Sequence, residues 1–240
     1  MATGSTLKLL YEGKAKQVFE TNRADEVIIS FKDDATAFNG VKKDTFSGKG
    51  RLNLAFTKFF FNILHENGVK THIIEFLDET SLRAKKVDIV PLEVVVRNYA
   101  AGSLCKRLGF EKGLKLEPTL CEFYLKNDSL NDPLLCREHI KYLNIASEAD
   151  VKHIEEQALK VNEVLSSYMD TKDITLVDFK LEFGRTADGQ IILADEISPD
   201  TCRFWRKGTM ESLDKDVYRE DKADLVSSYQ RLAGILGLEV

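Results

Sequence analysis

The sequence predicts an α+β fold: two lobes with mainly antiparallel sheets and packed helices enclosing a cleft. Three observations carry this. Short runs with period-two alternation crowd the first hundred residues, a 3.6-residue apolar period runs over 147–168, and 174–205 reads as two strands joined at Asp188-Gly189. Runs of strands followed by a mixture of helices and strands, rather than strict strand-helix alternation, mark the class. We expect an N-terminal lobe over 1–88, mainly antiparallel strands with one helix, and a C-terminal α+β lobe over 89–240. No shift in composition marks that boundary.

In chain order, residues 7–11 and 17–20 read as strands around Glu12-Gly13-Lys14-Ala15-Lys16. Glycine lets backbone approach a ligand closely, and lysine ammonium groups are mobile point charges suited to polyphosphate. The spacing is not that of a Walker A loop, and taken alone a solvated turn explains it better. A third strand spans 27–31, followed by a polar loop over 32–40. Leu52, Phe56, Phe59, Phe60 and Ile63 fall at helical spacing within 45–67, with Gly68 as the stop, and this stripe is core. Strands follow at 71–77, 81–86 and 92–98. In the last of these Val94 and Val96 face one way and Glu93, Val95 and Arg97 the other.

Arg97 is followed by Ala100, Ala101, Gly102 and Ser103, leading into a helical stretch at 104–107. Free amides at that helix start, with Arg97 and Ser103, suit an anion; a surface arginine before a capped helix fits the spacing equally well. Residues 120–125 continue the sheet, and Asp132-Pro133 forces a turn. Ser147 with Asp150 caps a helix whose Val151, Ile154, Ala158, Val161, Leu165 and Tyr168 share a face. An acid-rich segment through Asp214 and Asp216 precedes a last helix from about 221 to 236.

The stretch at 174–205 organises the chain. Thr175, Val177, Phe179, Leu181 and Phe183 alternate with Asp178, Lys180 and Glu182. A two-residue turn at Asp188-Gly189 sets Glu182 opposite Asp195, their Cβ atoms about 5 Å apart. Like charges so placed call for a cation between them. Two carboxylates suit Mg²⁺, which keeps several waters and completes its shell from substrate phosphates. Lys180 would hold an anion beside it. A solvated face neutralised by Lys180 is the plainer alternative, and a one-residue slip of register would separate the acids.

Composition excludes much else. Hydrophobic residues at 43% and charged residues at 30% are ordinary for a globular protein, and no apolar run approaches the roughly 20 residues that cross a membrane. A net charge of −5 argues against nonspecific nucleic-acid binding. The opening residues carry no secretory apolar stretch, so a cytoplasmic location is expected. The four cysteines form no C-x-x-C pair and the four histidines no zinc-ligand spacing, which points to reduced, structural thiols.

Mobile lysines at a glycine turn, paired acids and an intervening lysine suggest a nucleoside triphosphate site, and Arg97, Ser103 and Arg203 a second anionic ligand. GKAK at 13–16, VVRNYAAGS at 95–103, LKND at 125–128, VDFKLEFG at 177–184 and DEISPDTCRFW at 195–205 together resemble the phosphoribosylaminoimidazole-succinocarboxamide synthase (SAICAR synthetase) family, related to ATP-grasp. The motifs occur in the family's order over nearly the whole chain. The resemblance implies a purine-biosynthetic ligase that uses ATP, with Mg²⁺, to join L-aspartate to carboxyaminoimidazole ribonucleotide through an acyl phosphate, and a homodimer.

By that resemblance Gly13, Lys14, Ala15 and Lys16 hold the ATP phosphates and Lys126 lies by the nucleotide. Val18, Ile89 and Leu193 wall the adenine, and Glu182 and Asp195 hold the metal. Asp178 and Lys180 are catalytic, facing the reacting groups. Arg97, Ser103 and Arg203 grip the ribonucleotide's phosphate, and Asp200 accepts from its ribose. Thr36 and Asn39, in DDATAFNG, depart from the serine and aspartate of bacterial members, which bears on the L-aspartate contacts. Two rivals stand beside this: a kinase of the inositol-phosphate type, whose D-x-K element resembles Asp178-Phe179-Lys180, and a nucleotide-binding regulatory module without turnover.

Overall fold

A computed structural model describes residues 7–37 and 42–240. Two antiparallel sheets dominate. The first has the order β1-β2-β3-β7-β6, built from β1 (Leu9–Glu12), β2 (Lys16–Glu20), β3 (Glu26–Phe31), β6 (Ile73–Phe76) and β7 (Ser81–Lys85). Between β3 and β7 lie a small ribbon, β4 (Asp34–Ala37) with β5 (Lys42–Thr45), and helix α1 (Lys49–Glu66). The polar stretch expected as a loop over 32–40 therefore contains a strand. Its alternation is faint because the face opposite Asp34 and Thr36 offers only alanine, of which Ala35 enters the main core.

The second sheet runs β11-β10-β9-β12-β14-β15, from β9 (Leu92–Tyr99), β10 (Lys115–Leu125), β11 (Leu134–Leu135), β12 (Ile174–Arg185), β14 (Cys202–Arg206) and β15 (Glu211–Ser212). Strands β8 (Asp88–Ile89) and β13 (Ile191–Ala194) pair with the far half of β12. Gly184, in that half, lies against the connection between the sheets: a Cβ there would come within 2.4 Å of Val87 Cγ2. Helices α2 (Ser103–Leu108), α3 (Arg137–Tyr142), α4 (Glu148–Asp170), α5 (Asp216–Arg219) and α6 (Leu225–Leu236) complete the chain.

The main core lies between the second sheet and α1, α4 and α6. Phe56, Phe60, Phe61 and Leu64 of α1 meet Val151, Ile154, Ala158, Val161 and Leu165 of α4, with Phe179, Leu181 and Phe183 of β12 beneath. Phe60 stacks on Phe204 at 5.7 Å. A smaller cluster of Val27, Phe31, Leu54, Leu82 and Ala84 holds the first sheet to the other side of α1. Helix α4 begins as expected, with Ser147 and Asp150 satisfying each other's backbone amides. The last helix starts later than expected, at Leu225, because Asp224 caps it by accepting from Ser227 N at 2.7 Å.

Two details of β12 differ from strict alternation. Leu176 pairs with Phe204 but Asp178 with Arg203, so Val177 is an extra, bulged residue. Ile174 and Leu176 consequently enter the main core, whereas Val177 joins Ala101 and Trp205 in a separate cluster. The expected common face of Thr175, Val177 and Phe179 is thus broken at the bulge.

The hairpin register also differs. Glu182 pairs with Ala194, not Asp195, because the connection is a three-residue loop over 187–189 closed by Thr186 N donating to Gln190 O at 2.9 Å. Gly189 takes φ 86°, the left-handed residue that such a loop requires. Asp188 holds it by accepting from Thr186 Oγ1 and from Gln190 Nε2.

Candidate active site

A cleft of about 790 Å³ is lined by residues of both sheets. From the first come Gly13, Lys14, Ala15, Lys16 and Val18, and from the second Ile89, Arg97, Lys126, Asp178, Lys180, Glu182, Asp195, Asp200 and Arg203. Thr36 of β4 also borders it, while Asn39 lies outside the described residues. Ser103 is exposed and accepts from Arg97 Nη2 at 3.2 Å. Among the described residues, Ser103 meets the cleft only through Arg97 and does not line it, and Leu193 is not brought there at all. At 1% exposure it packs in the main core opposite Phe183, and Ala194 borders the cleft in its place. The one-residue register difference accounts for that exchange.

In a continuous strand the same slip would turn Asp195 away from Glu182. Instead Asp195 sits one residue beyond the end of β13 with φ 59°, a left-handed kink that leaves its side chain on the cleft wall. Lys16 bonds Asp195 and lies 3.4 Å from Glu196, while Glu182 is held by Lys126 and, at 3.1 Å, by Lys180. Lys180 also donates to Glu93 at 2.8 Å. Three ammonium groups thus surround two main carboxylates. Burial works against charge on Lys16 and Lys180, but the facing acids outweigh it and raise both lysines. Burial likewise opposes charge on Asp195, and Lys16 and Lys180 reverse it, leaving this carboxyl well below the usual range. Glu196, by contrast, is raised by its burial.

Hard carboxylate oxygens already drawing three cations fit a divalent ion such as Mg²⁺. Among the described residues no group of three or more His, Cys, Asp or Glu side chains is arranged to hold a metal. Glu182 and Asp195 would therefore share an ion with oxygens that are not the protein's own.

Deeper in the cleft, Asp178 is the cross-strand partner of both Arg97 and Arg203. Its carboxylate, 3% exposed, accepts from Arg97 Nη1 at 2.7 Å and from Arg203 Nη1 at 2.9 and 3.0 Å. Gly102 makes room for this. A Cβ there would lie 2.5 Å from Arg203 Nη2, and its φ of 54° with ψ −124° is closed to side chains.

Several residues of the site carry no sequence signal of their own. Glu93 is an isolated acid that only the fold brings to Lys180, and Glu196, inside the DEISPDTCRFW motif but given no role by it, is brought to Lys16. Lys215 and Arg219 line the cleft from the acid-rich segment. Lys49, wholly buried at the start of α1, holds Asp200, whose other oxygen accepts from Tyr229 Oη. Placing Lys49 there requires Gly50, since a Cβ would meet Phe31 O at 2.7 Å.

Asp214 is fully buried and accepts from Phe204 N and Asp216 N, both at 2.8 Å. Burial and then the neighbouring Asp216 push its carboxyl up to about 7. The folded protein therefore holds a proton that the unfolded chain releases nearer pH 4, so this group's contribution to stability falls as pH rises from about 4 to about 7 and is level above. Asp214→Asn is expected to remove that part of the decline, read as urea midpoints across this range; an unchanged profile would assign the slope elsewhere.

The chain matches the SAICAR synthetase family model over residues 9–235. It is 54% identical over 224 residues to phosphoribosylaminoimidazole-succinocarboxamide synthase of Staphylococcus aureus (strain JH9), covering 93% of this chain and 96% of that protein. Among solved structures it superimposes on the enzyme of that name from Ehrlichia chaffeensis with a TM-score of 0.94 at 40% identity, over 97% of this chain and 100% of the other. It also superimposes on a SAICAR synthetase in complex with ADP, with a TM-score of 0.93 at 51% identity, over 97% and 99% of the two chains. With its motifs gathered in one cleft and its whole fold shared, this chain belongs to the SAICAR synthetase family.

Proposed function

We infer that the protein is an ATP-dependent ligase of purine biosynthesis, condensing carboxyaminoimidazole ribonucleotide with L-aspartate to give SAICAR, ADP and phosphate. The family match over almost the whole chain carries this reading, and the cleft supplies the charges it needs. A carboxylate resists attack by an amine until one oxygen becomes a leaving group. In the first step an oxygen of the imidazole carboxylate bonds to the γ-phosphorus while the bond to the β,γ-bridging oxygen breaks and ADP departs. In the second the aspartate amine attacks the acyl carbon, phosphate leaves and the amine's proton is lost to solvent. The protein contributes positioning and charge neutralisation.

In this reading the hairpin at 13–16 cradles the triphosphate with Lys14 and Lys16, Lys126 lies beside it, and Val18 and Ile89 flank the base. Glu182 and Asp195 would hold Mg²⁺, which neutralises phosphate charge when bound. Lys180 faces the transferring phosphoryl group. Asp178 aligns Arg97 and Arg203 and borders the reacting carboxylate; those arginines with Ser103 take the ribonucleotide's phosphate. Asp200, fixed by Lys49 and Tyr229, keeps unused lone pairs for ribose hydroxyls. Thr36, which borders the cleft, keeps a hydroxyl for L-aspartate in this reading. No helix among the described residues is long and apolar enough to cross a membrane. We assign the reaction to the cytoplasm and the assembly to a homodimer, which sedimentation would test.

ADP release is expected only when ATP, L-aspartate and carboxyaminoimidazole ribonucleotide are all present at turnover, with a succinocarboxamide formed for each ADP. ADP formed from an inositol phosphate alone would favour the kinase. ATP binding with no succinocarboxamide would favour a regulatory module.

A further inference from the structure

The two arginines beside Asp178 are each held a second time, from the side away from it. Arg97 donates through Nε to Glu122 at 2.8 Å, and Arg203 through Nε to Asp216 at 2.7 Å. Neither acid lies in a family motif quoted above. Glu122, on β10, is itself fixed by Arg107 and by Tyr124 Oη at 2.9 Å; Asp216, opening α5, is fixed by Arg219 at 2.7 Å. Each guanidinium is therefore pinned at two edges of its plane, Nη1 on the shared Asp178 and Nε on an outer carboxylate. Both Nη2 groups then face the turn at Gly102 and Ser103. That of Arg97 reaches Ser103 Oγ at 3.2 Å and Tyr124 Oη at 3.3 Å, and that of Arg203 lies over Gly102.

We propose that Glu122 and Asp216 are positioning residues for the ribonucleotide's phosphate, each orienting one arginine through Nε so that both Nη2 groups face the turn at Gly102 and Ser103. The inference rests on the reading that Arg97, Ser103 and Arg203 take that phosphate. A free arginine side chain has considerable rotamer freedom, and its planar fork recognises phosphate only in a fixed orientation. Holding the plane beforehand removes that ordering from the binding step. Arg107 and Arg219 offset the negative charge of the outer acids, so the frame does not repel the anion it orients.

The test uses Glu122→Gln and Asp216→Asn, which keep shape and remove charge. Each is expected to raise KM for carboxyaminoimidazole ribonucleotide, and the inhibition constant of ribose 5-phosphate with it, by about 10- to 100-fold. KM for ATP and kcat should stay within about threefold of wild type, since neither acid touches the hairpin or Lys180. Asp216→Glu should recover part of the loss.

A merely structural role would lower kcat and raise both KM values together, and that result, or unchanged ribonucleotide constants, overturns the proposal. Should Glu122→Gln fail to fold, Tyr124→Phe removes the bond to Glu122 and those from Arg97 Nη2 and Arg107 Nη1. It should raise the same two constants about two- to tenfold; no rise would count against the proposal. Wild-type turnover with the ribonucleotide is the separate control. Its absence overturns the functional reading and this inference together, whereas wild-type turnover with unaffected variants overturns this inference alone.

Discussion

Lys180→Met is expected to lower turnover by on the order of 10²–10³-fold with the fold intact, the scale of losing one preorganised donor at a site of developing charge. Lys180 projects from the middle of β12, whose partners β9 and β14 fix its backbone. Its ammonium is 2.8 Å from Glu93 and 3.1 Å from Glu182, and these acids with Asp195 keep it charged against its burial. Methionine keeps the apolar stem and removes only the charge. Glu182 retains Lys126, so a large loss of folding stability is not expected. The check is kcat beside thermal unfolding. Near-normal turnover would make Lys180 a neutralising neighbour and nothing more.

The second large effect concerns the two acids. Glu182→Gln or Asp195→Asn should raise the Mg²⁺ concentration for half-maximal turnover, and the dissociation constant of Mg·ATP measured by calorimetry, by about 10- to 100-fold. Losing a residue that merely supports a metal ligand has that effect, and losing a ligand should have at least as much. Lys16 and Lys180 more than offset the burial of Asp195 and hold its carboxyl well below the usual range, so it enters the assay at neutral pH as a carboxylate. Unchanged Mg²⁺ dependence in both variants would refute the assignment.

How far the sequence could be read depended on whether a signal was local. The stripe of α1, the Ser147 cap of α4 and the opposed faces of Val94 and Arg97 are set by spacing within a few residues, and all three appear in the fold. The bulge at Val177 and the three-residue loop before Gln190 are not local in that sense. Alternation continues through a bulge, and Asp188-Gly189 serves a two-residue turn and a three-residue loop equally. The expected opposition of Glu182 and Asp195 is therefore replaced by a diagonal relation, with the left-handed backbone at Asp195 bringing it to the cleft. Leu193 followed the register into the core. Glu93, Lys49, Glu122 and Asp216 were invisible because each matters only through a partner 13 to 151 positions away.

The fate of one oxygen atom tests the account most directly. Carboxyaminoimidazole ribonucleotide labelled with ¹⁸O in its carboxylate is turned over with ATP and L-aspartate, and the phosphate is analysed by mass. Activation by phosphoryl transfer predicts one labelled oxygen in the phosphate for every amide formed at full enrichment. Phosphate free of label, with the amide still made, would contradict it.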